Sequence, residues 1–101
     1  MRSRYATKRD ANHAAIEAVF RKMLADRVTD ISRTGMGLGD LLVSYGFFCA
    51  LVEIGVDEKH DDTAAEIAFN NRHPGVKLYC WNVEQAARLA KHIRAQGAKL
   101  A

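Results

Sequence analysis

The sequence predicts one α/β domain in which helices surround a small mixed sheet, with the element order helix, strand, strand, strand, helix, strand, helix. Two observations predict this fold. Apolar residues recur at helical spacing near both ends of the chain, and short apolar runs bounded by turn-forming residues lie between them. With 101 residues, of which 49% are hydrophobic and 27% charged, the chain has the size and composition of one soluble domain with a modest core.

The first predicted element is an amphipathic helix over residues 10–25. Its apolar residues form one stripe along the helix. The stripe consists of Ile16, Val19, Phe20, Met23 and Leu24. Asp10 or Asn12 is expected to cap the start of the helix, because short polar side chains accept hydrogen bonds from its first free amides. Residues 28–32 then alternate apolar and polar side chains, which predicts a half-buried strand.

A β-hairpin is predicted after the glycine-rich loop at residues 34–39. Residues 40–44 and 47–54 are both rich in apolar side chains, and Tyr45-Gly46 between them favours a turn. The second of these runs is almost continuously apolar. We therefore expect it to form a central strand that is buried on both faces.

A helix, a strand and a final helix complete the predicted fold. Thr63 and Glu66 have the spacing of a capping box, which predicts a helix over residues 62–72. Residues 76–81 predict a strand. The last helix follows this strand, and Gly97 is expected to be its C-cap.

Charge and composition narrow the classes of function. The net charge is +3, and basic residues concentrate in an N-terminal arm at residues 1–9 and near the C-terminus. Basic flanks of this kind suit attraction of phosphate groups. No apolar run approaches the roughly 20 residues that span a bilayer, and no signal-peptide pattern is present. We expect a cytoplasmic protein without a membrane partner, in which Cys49 and Cys80 are free, buried thiols.

Asp40 and Glu53 give the strongest functional signal among the individual residues. Asp40 opens the first hairpin strand and Glu53 lies near the far end of the second, so antiparallel pairing brings them close together. Two neighbouring carboxylates repel each other, and a site that keeps both usually offsets their charge with a cation. The alternative is that Glu53 ends its strand in water. The four histidines include no pair at metal-binding spacing.

Four segments follow one another in a recognisable order. They are Arg9-Asp10-Ala11-Asn12, then Gly35-x-Gly-x-Gly-Asp40-Leu-Leu-Val, then Leu51-Val52-Glu53, and then Thr63-x-x-Glu66. Together they resemble the virus-type replication-repair nuclease (VRR-NUC) family, compact members of the PD-(D/E)xK nuclease superfamily whose stand-alone forms are often phage-encoded. The resemblance implies a single nuclease domain over residues 1–101 with a restriction-endonuclease-like core.

The resemblance also implies a metal site and a reaction. Asp40 and Glu53 would bind Mg²⁺ or Mn²⁺ together with the backbone carbonyl of Ile54, all oxygen ligands of the kind that Mg²⁺ requires. The metal would assist hydrolysis of a DNA phosphodiester. Stand-alone relatives resemble homodimeric Holliday-junction resolvases, so the expected substrate is branched or structured DNA and the expected partner is a second copy of the chain. The expected location is the host cytoplasm if the protein is phage-encoded.

Seven residues are predicted to contact nucleic acid. Most are basic or lie beside the basic arm, and one is a glycine of the loop before the second strand. They are Arg4, Lys8, Arg9, Asn12, His13, Arg33 and Gly37. Basic side chains that neutralise phosphates make binding sensitive to salt.

The chain departs from the family pattern at two positions that matter for catalysis. Gly55 stands two residues after Glu53, where active relatives carry a lysine, and Ala15 stands where relatives often carry a glutamate. Loss of one such electrostatic group typically lowers the rate by roughly 10²–10³. Lys59 is the expected cationic replacement in the catalytic set, and Lys77 is a second candidate. The alternative function is a lapsed nuclease fold that binds nucleic acid without cutting it.

Overall fold

Helices and strands alternate along the chain in the computed structural model, which describes residues 4–34, 38–58 and 62–99, with residues 4–9 described by their backbone. The elements are α1 (Arg4–Leu24), β1 (Val28–Asp30), β2 (Leu41–Tyr45), β3 (Phe48–Ile54), α2 (Ala64–Arg72), β4 (Lys77–Cys80) and α3 (Val83–Lys99). The predicted order of elements is confirmed. Within these ranges, no helix is long and apolar enough to cross a membrane.

The strands of the described chain form one mixed sheet in the order β1-β2-β3-β4. β2 pairs antiparallel with both β1 and β3, whereas β3 and β4 run parallel. Parallel neighbours need a crossover connection, and α2 lies in this one. The predicted fold class is therefore confirmed as a small mixed sheet flanked by helices, compatible with a restriction-endonuclease-like core.

β2 and β3 form the predicted hairpin. Leu41 lies opposite Val52 and Tyr45 lies opposite Phe48, so the two-residue turn is Gly46-Phe47, one residue later than predicted. Gly46 has a φ of 59°, the left-handed conformation that tight hairpin turns require at this position. This register sets the residue that precedes β2 against the end of β3, where the candidate site lies.

The hydrophobic core occupies one face of the sheet. Side chains from α1, α3 and alternate positions of the strands fill it. The largest fully buried members include Ile16, Phe20, Leu24, Leu41, Val43, Val52, Ile54 and Ile93. Because both long helices pack on this face, we call it the core face and the opposite one the second face.

The second face is only partly covered. Along β3, Val52 and Ile54 are buried on the core face, whereas Cys49 on the second face is exposed. α2 buries only Glu66 and Phe69. The expectations that β3 is buried on both faces and that Cys49 is buried are therefore wrong, because one short helix cannot cover what two long helices cover on the other side.

The helix ends follow the predictions in part. Thr63 and Glu66 form the predicted capping box at the start of α2. α1, however, begins at Arg4, because the predicted arm contains no glycine or proline that would stop a helix. Asp10 and Asn12 are thus inside α1 and do not cap it. Gly97 does not end α3 either: it is buried within the helix.

Candidate functional site

Asp40 is fixed at the junction of three strands. Its amide donates to the Val52 carbonyl at 2.8 Å, and its carbonyl accepts from the Ile31 amide at 2.9 Å. Its carboxylate Oδ2 accepts from the Ile54 amide at 2.8 Å, and the residue is only 3% exposed. Gly39 permits this close approach, since it has a φ of 102° and a Cβ there would lie 3.0 Å from the Val52 carbonyl oxygen.

Glu53 and Ile54 present different groups at the end of β3. Side chains alternate between faces along a strand, so the half-buried Glu53 lies on the second face while Ile54 is buried in the core. Glu53 lines an open cavity of about 400 Å³ together with residues of α2, β4 and the loops beside them. Ile54 directs its amide towards Asp40, and in a strand the carbonyl of the same residue points to the same neighbour.

Tyr79 leaves no room for a side chain at position 55. The Gly55 amide donates to the Cys80 carbonyl at 2.9 Å, and the Tyr79 side chain lies against the α-carbon. A Cβ at position 55 would lie 2.5 Å from Cζ of Tyr79 and closer still to its hydroxyl oxygen. That hydroxyl donates a hydrogen bond to the Asp57 carbonyl. The space into which a residue at position 55 would project is therefore occupied by Tyr79.

Lys77 crosses the second face from β4 towards the start of β2. Its Cδ would lie 3.4 Å from a Cβ at Gly39, the residue before Asp40. Its ammonium is 3.8 Å from Oε2 of Glu66 and 5.6 Å from the ring centroid of Phe69. The side chain of Lys77 is 7% exposed and that of Glu66 is 9% exposed. A lysine thus lies buried beside the loop that leads into Asp40, held by a carboxylate of α2.

The structure describes only some of the residues that were predicted to bind nucleic acid or to replace the motif lysine. Lys59 and Gly37 lie outside the described residues, as do the side chains of Arg4, Lys8 and Arg9. Arg33 is exposed after β1. Asn12 is half-buried, and its amide donates to the carbonyls of Gly55 and Trp81, the latter at 3.0 Å. Asn12 therefore ties α1 to the ends of β3 and β4.

His13 is turned towards three carboxylates. Its Nε2 is 3.2 Å from Oε1 of Glu17 and 3.5 Å from Oδ2 of Asp30, and its Nδ1 is 3.9 Å from Oδ1 of Asp40. Hydrogen bonds from the Ser32 hydroxyl and amide lower the pKa of Asp30 below its usual value, which keeps that carboxylate charged.

Glu17 and Asp30 were not predicted as site residues. The histidines show no pair at metal-binding spacing, and this group contains a single histidine. The available signal was the four-residue spacing of His13 and Glu17, which places them on one face of a helix. Nothing in the sequence indicated that Asp30 would face them, because that depends on how α1 packs across β1.

The structure thus brings Asp40, the Ile54 amide and the His13 group together at one end of the sheet, and it places Glu53 on the second face. Asp40 is the shared residue, since it contacts both Ile54 and His13. Searches with family models, among curated proteins and among solved structures returned no match for this chain. The resemblance to VRR-NUC proteins therefore rests on the chain's own residues.

Proposed function

We propose that this chain is a metal-dependent DNA endonuclease whose catalytic centre lies where Asp40 meets the end of β3. The observation that carries the proposal is the buried Asp40 carboxylate, bonded to the Ile54 amide at 2.8 Å. Burying a carboxylate is unfavourable unless hydrogen bonds or a cation compensate it. Its position at the end of the strand hairpin, beside the end of the strand that carries Glu53, fits a metal centre.

The available donors suit a hard divalent cation. Asp40 and Glu53 supply carboxylates from adjacent strands, and Ile54 supplies a backbone carbonyl on the Asp40 side of β3. Mg²⁺ and Mn²⁺ prefer oxygen ligands of these kinds. When bound, such an ion polarises a phosphate and lowers the pKa of a coordinated water. The protein's own task is to orient the DNA backbone beside these residues.

Lys77 is the described residue best suited to act as the catalytic cation. Its buried side chain extends towards Gly39, and Glu66 orients it from α2. A fixed ammonium in a dry site stabilises the negative charge that develops on a phosphate more strongly than a solvated one does. Lys59, predicted from the sequence for this role, remains the second candidate.

The proposed substrate is branched or structured DNA, cut by a homodimer in the cytoplasm. The net charge of +3 favours attraction to phosphates. Two-fold pairing of identical chains would present two catalytic centres to two strands.

Tyr79 favours a second candidate function, a lapsed nuclease fold that binds DNA without cutting it. Its side chain occupies the space beside Gly55 in which the lysine of active relatives would project. If Lys77 does not serve in its place, the site lacks a group that typically contributes roughly 10²–10³ in rate.

The test is cleavage of four-way-junction and linear DNA with Mg²⁺, Mn²⁺ or EDTA. We expect metal-dependent cleavage that Asp40→Asn lowers by at least about 100-fold. Asparagine retains the size of aspartate and an acceptor for the Ile54 amide, so thermal melting should report a folded variant. Asp26→Asn, at an exposed aspartate, is the matched control and should cleave normally.

The outcomes separate the two candidates. Salt-sensitive DNA binding without cleavage would indicate the lapsed fold, and absence of both would contradict both proposals. Lys77→Met should lower cleavage by roughly 10²–10³ if Lys77 is the catalytic cation. In the lapsed case, Gly55→Lys combined with Tyr79→Ala should create activity, whereas Gly55→Lys alone should not, because Tyr79 blocks the space.

A further inference from the structure

His13, Glu17 and Asp30 bring three metal-ligand atoms together outside the proposed catalytic centre. One ligand atom from each residue lies within 4.8 Å of the others. His13 and Glu17 are one helical turn apart on α1, and Asp30 is the last residue of β1. The group is therefore built by two elements of the fold whose relative position the core fixes.

The Nε2 atom of His13 gives a second, independent indication of a bound ion. It is buried and has no hydrogen-bond partner among the described residues, although the side chain as a whole is 16% exposed. Buried polar atoms are almost always satisfied by a partner, a water or an ion. Nε2 lies 3.2 and 3.5 Å from two carboxylate oxygens, and an unprotonated nitrogen at this position can bind a metal ion together with them.

Neighbouring residues donate hydrogen bonds to one oxygen of each carboxylate, the one that faces away from His13. Arg21 Nε donates to Oε2 of Glu17 at 2.8 Å, which leaves Oε1 facing His13. The Ser32 amide and hydroxyl donate to Oδ1 of Asp30 at 2.8 and 2.7 Å, which leaves Oδ2 facing His13. The inner oxygens are thus oriented before any ion arrives. Supporting hydrogen bonds of this kind are usual around metal ligands.

The second nitrogen of His13 also fits a ligand role. Its Nδ1 faces Oδ1 of Asp40 at 3.9 Å. Histidine ligands usually direct their other ring nitrogen towards a carboxylate or carbonyl, which fixes the ring orientation. An open cavity of about 280 Å³, lined by His13, Glu17 and Asp30 together with Arg33, gives an ion access from solvent.

We propose that His13, Glu17 and Asp30 form a second metal site that takes a borderline divalent ion such as Zn²⁺. One imidazole and two carboxylates suit Zn²⁺ better than Mg²⁺, which prefers oxygen ligands alone. Three protein ligands leave a fourth position of a tetrahedral ion for water. The inference does not depend on the proposed nuclease activity, because metal binding by itself tests it.

The experiment is titration of the full chain with Zn²⁺ by calorimetry, and with Co²⁺ followed by its visible absorption. We expect one strong Zn²⁺ site per chain. His13→Ala, Glu17→Gln and Asp30→Asn should each weaken it by at least about 10-fold. The matched controls are His92→Ala, Glu84→Gln and Asp26→Asn, which change exposed residues of the same types. They should leave the affinity within about 2-fold.

Two results would overturn the site. One is a wild-type chain that binds no Zn²⁺, which would leave His13 as the centre of an ion-pair cluster. The other is Zn²⁺ affinity that His13→Ala and Glu17→Gln do not change, which would assign the ion to other residues. Glu53→Gln, on the second face of the sheet, should lower Mg²⁺-dependent cleavage while Zn²⁺ still binds, so failure of the nuclease proposal and failure of this one remain distinguishable.

Discussion

On the core face of the sheet, alternate residues of β2 and β3 pack against two long helices, whereas on the second face the residues between them meet one short helix and solvent. The core face contains aliphatic and aromatic side chains. The second face holds the Lys77–Glu66 pair, Tyr79 and Glu53. One face therefore provides the stability, and the other has room for polar groups that packing alone would not select.

The largest effect expected from this comparison is on the core face. Phe20→Ala removes a fully buried ring from α1 and should lower the free energy of unfolding by about 3–5 kcal/mol. Phe47→Ala is the matched control, because this ring is 80% exposed at the hairpin turn, and its cost should stay within about 0.5 kcal/mol. Denaturant unfolding measures both. Similar losses in the two variants would contradict the expectation that packing on the core face provides much of the stability.

A smaller effect is expected from the charged pair of the second face. Lys77→Met leaves the Glu66 carboxylate buried without this cation but still bonded to the Thr63 hydroxyl, which should lower the free energy of unfolding by about 1–3 kcal/mol. Adding Glu66→Gln should restore much of the loss, because glutamine removes the charge and still completes the capping box. Lys91→Met, at an exposed lysine of α3, is the control. A double variant as unstable as Lys77→Met would show that the pair is not coupled.

The two cysteines distinguish the faces by their reactivity, and replacing the exposed Cys49 should have the smallest effect on stability. Cys49 is exposed on the second face, whereas burial raises the pKa of Cys80 on the core face from 9.0 to about 11. Iodoacetamide at pH 8 should modify Cys49 alone in the folded protein, as mass spectrometry would show. Cys49→Ser should resist modification until unfolded, and labelling of Cys80 at a similar rate would contradict its burial.

The same pKa shift predicts how stability depends on pH. The unfolded Cys80 thiol ionises near pH 9, whereas the folded one stays neutral to about pH 11. The contribution of the neutral thiol is therefore complete below pH 9 and is lost as the pH rises from 9 to 11. Cys80→Ala should remove this part of the alkaline destabilisation.

Much of the fold could be predicted from neighbours along the chain. The capping box of Thr63 and Glu66 and the hairpin that turns at Gly46 depend on a few adjacent residues, and both form, the hairpin turn one residue later than predicted. The start of α1 was wrong because the basic residues before Asp10 were interpreted as an arm, although nothing in them opposes a helix. Burial of β3 was wrong because a continuous apolar run does not reveal how much of each face the helices cover.

The residues of the candidate site were likewise predicted only in part. Asp40 and Glu53 were identified from their positions at two strand ends, and their binding of a metal remains a prediction. Glu17 and Asp30 were missed, since they meet His13 only through the packing of α1 on β1. The sequence also showed that position 55 lacks a lysine, but it gave no sign that Tyr79 fills the space.

The sequence by itself determined the order of helices and strands, the hairpin and the positions of the acidic residues, because periodicity, caps and turns act over a few neighbouring residues. Only the tertiary structure decided that both long helices share one face, that Lys77 crosses the other, and that His13 meets two carboxylates. These arrangements join residues distant in the chain. They depend on how whole helices and strands pack against one another, which the burial of apolar surface drives.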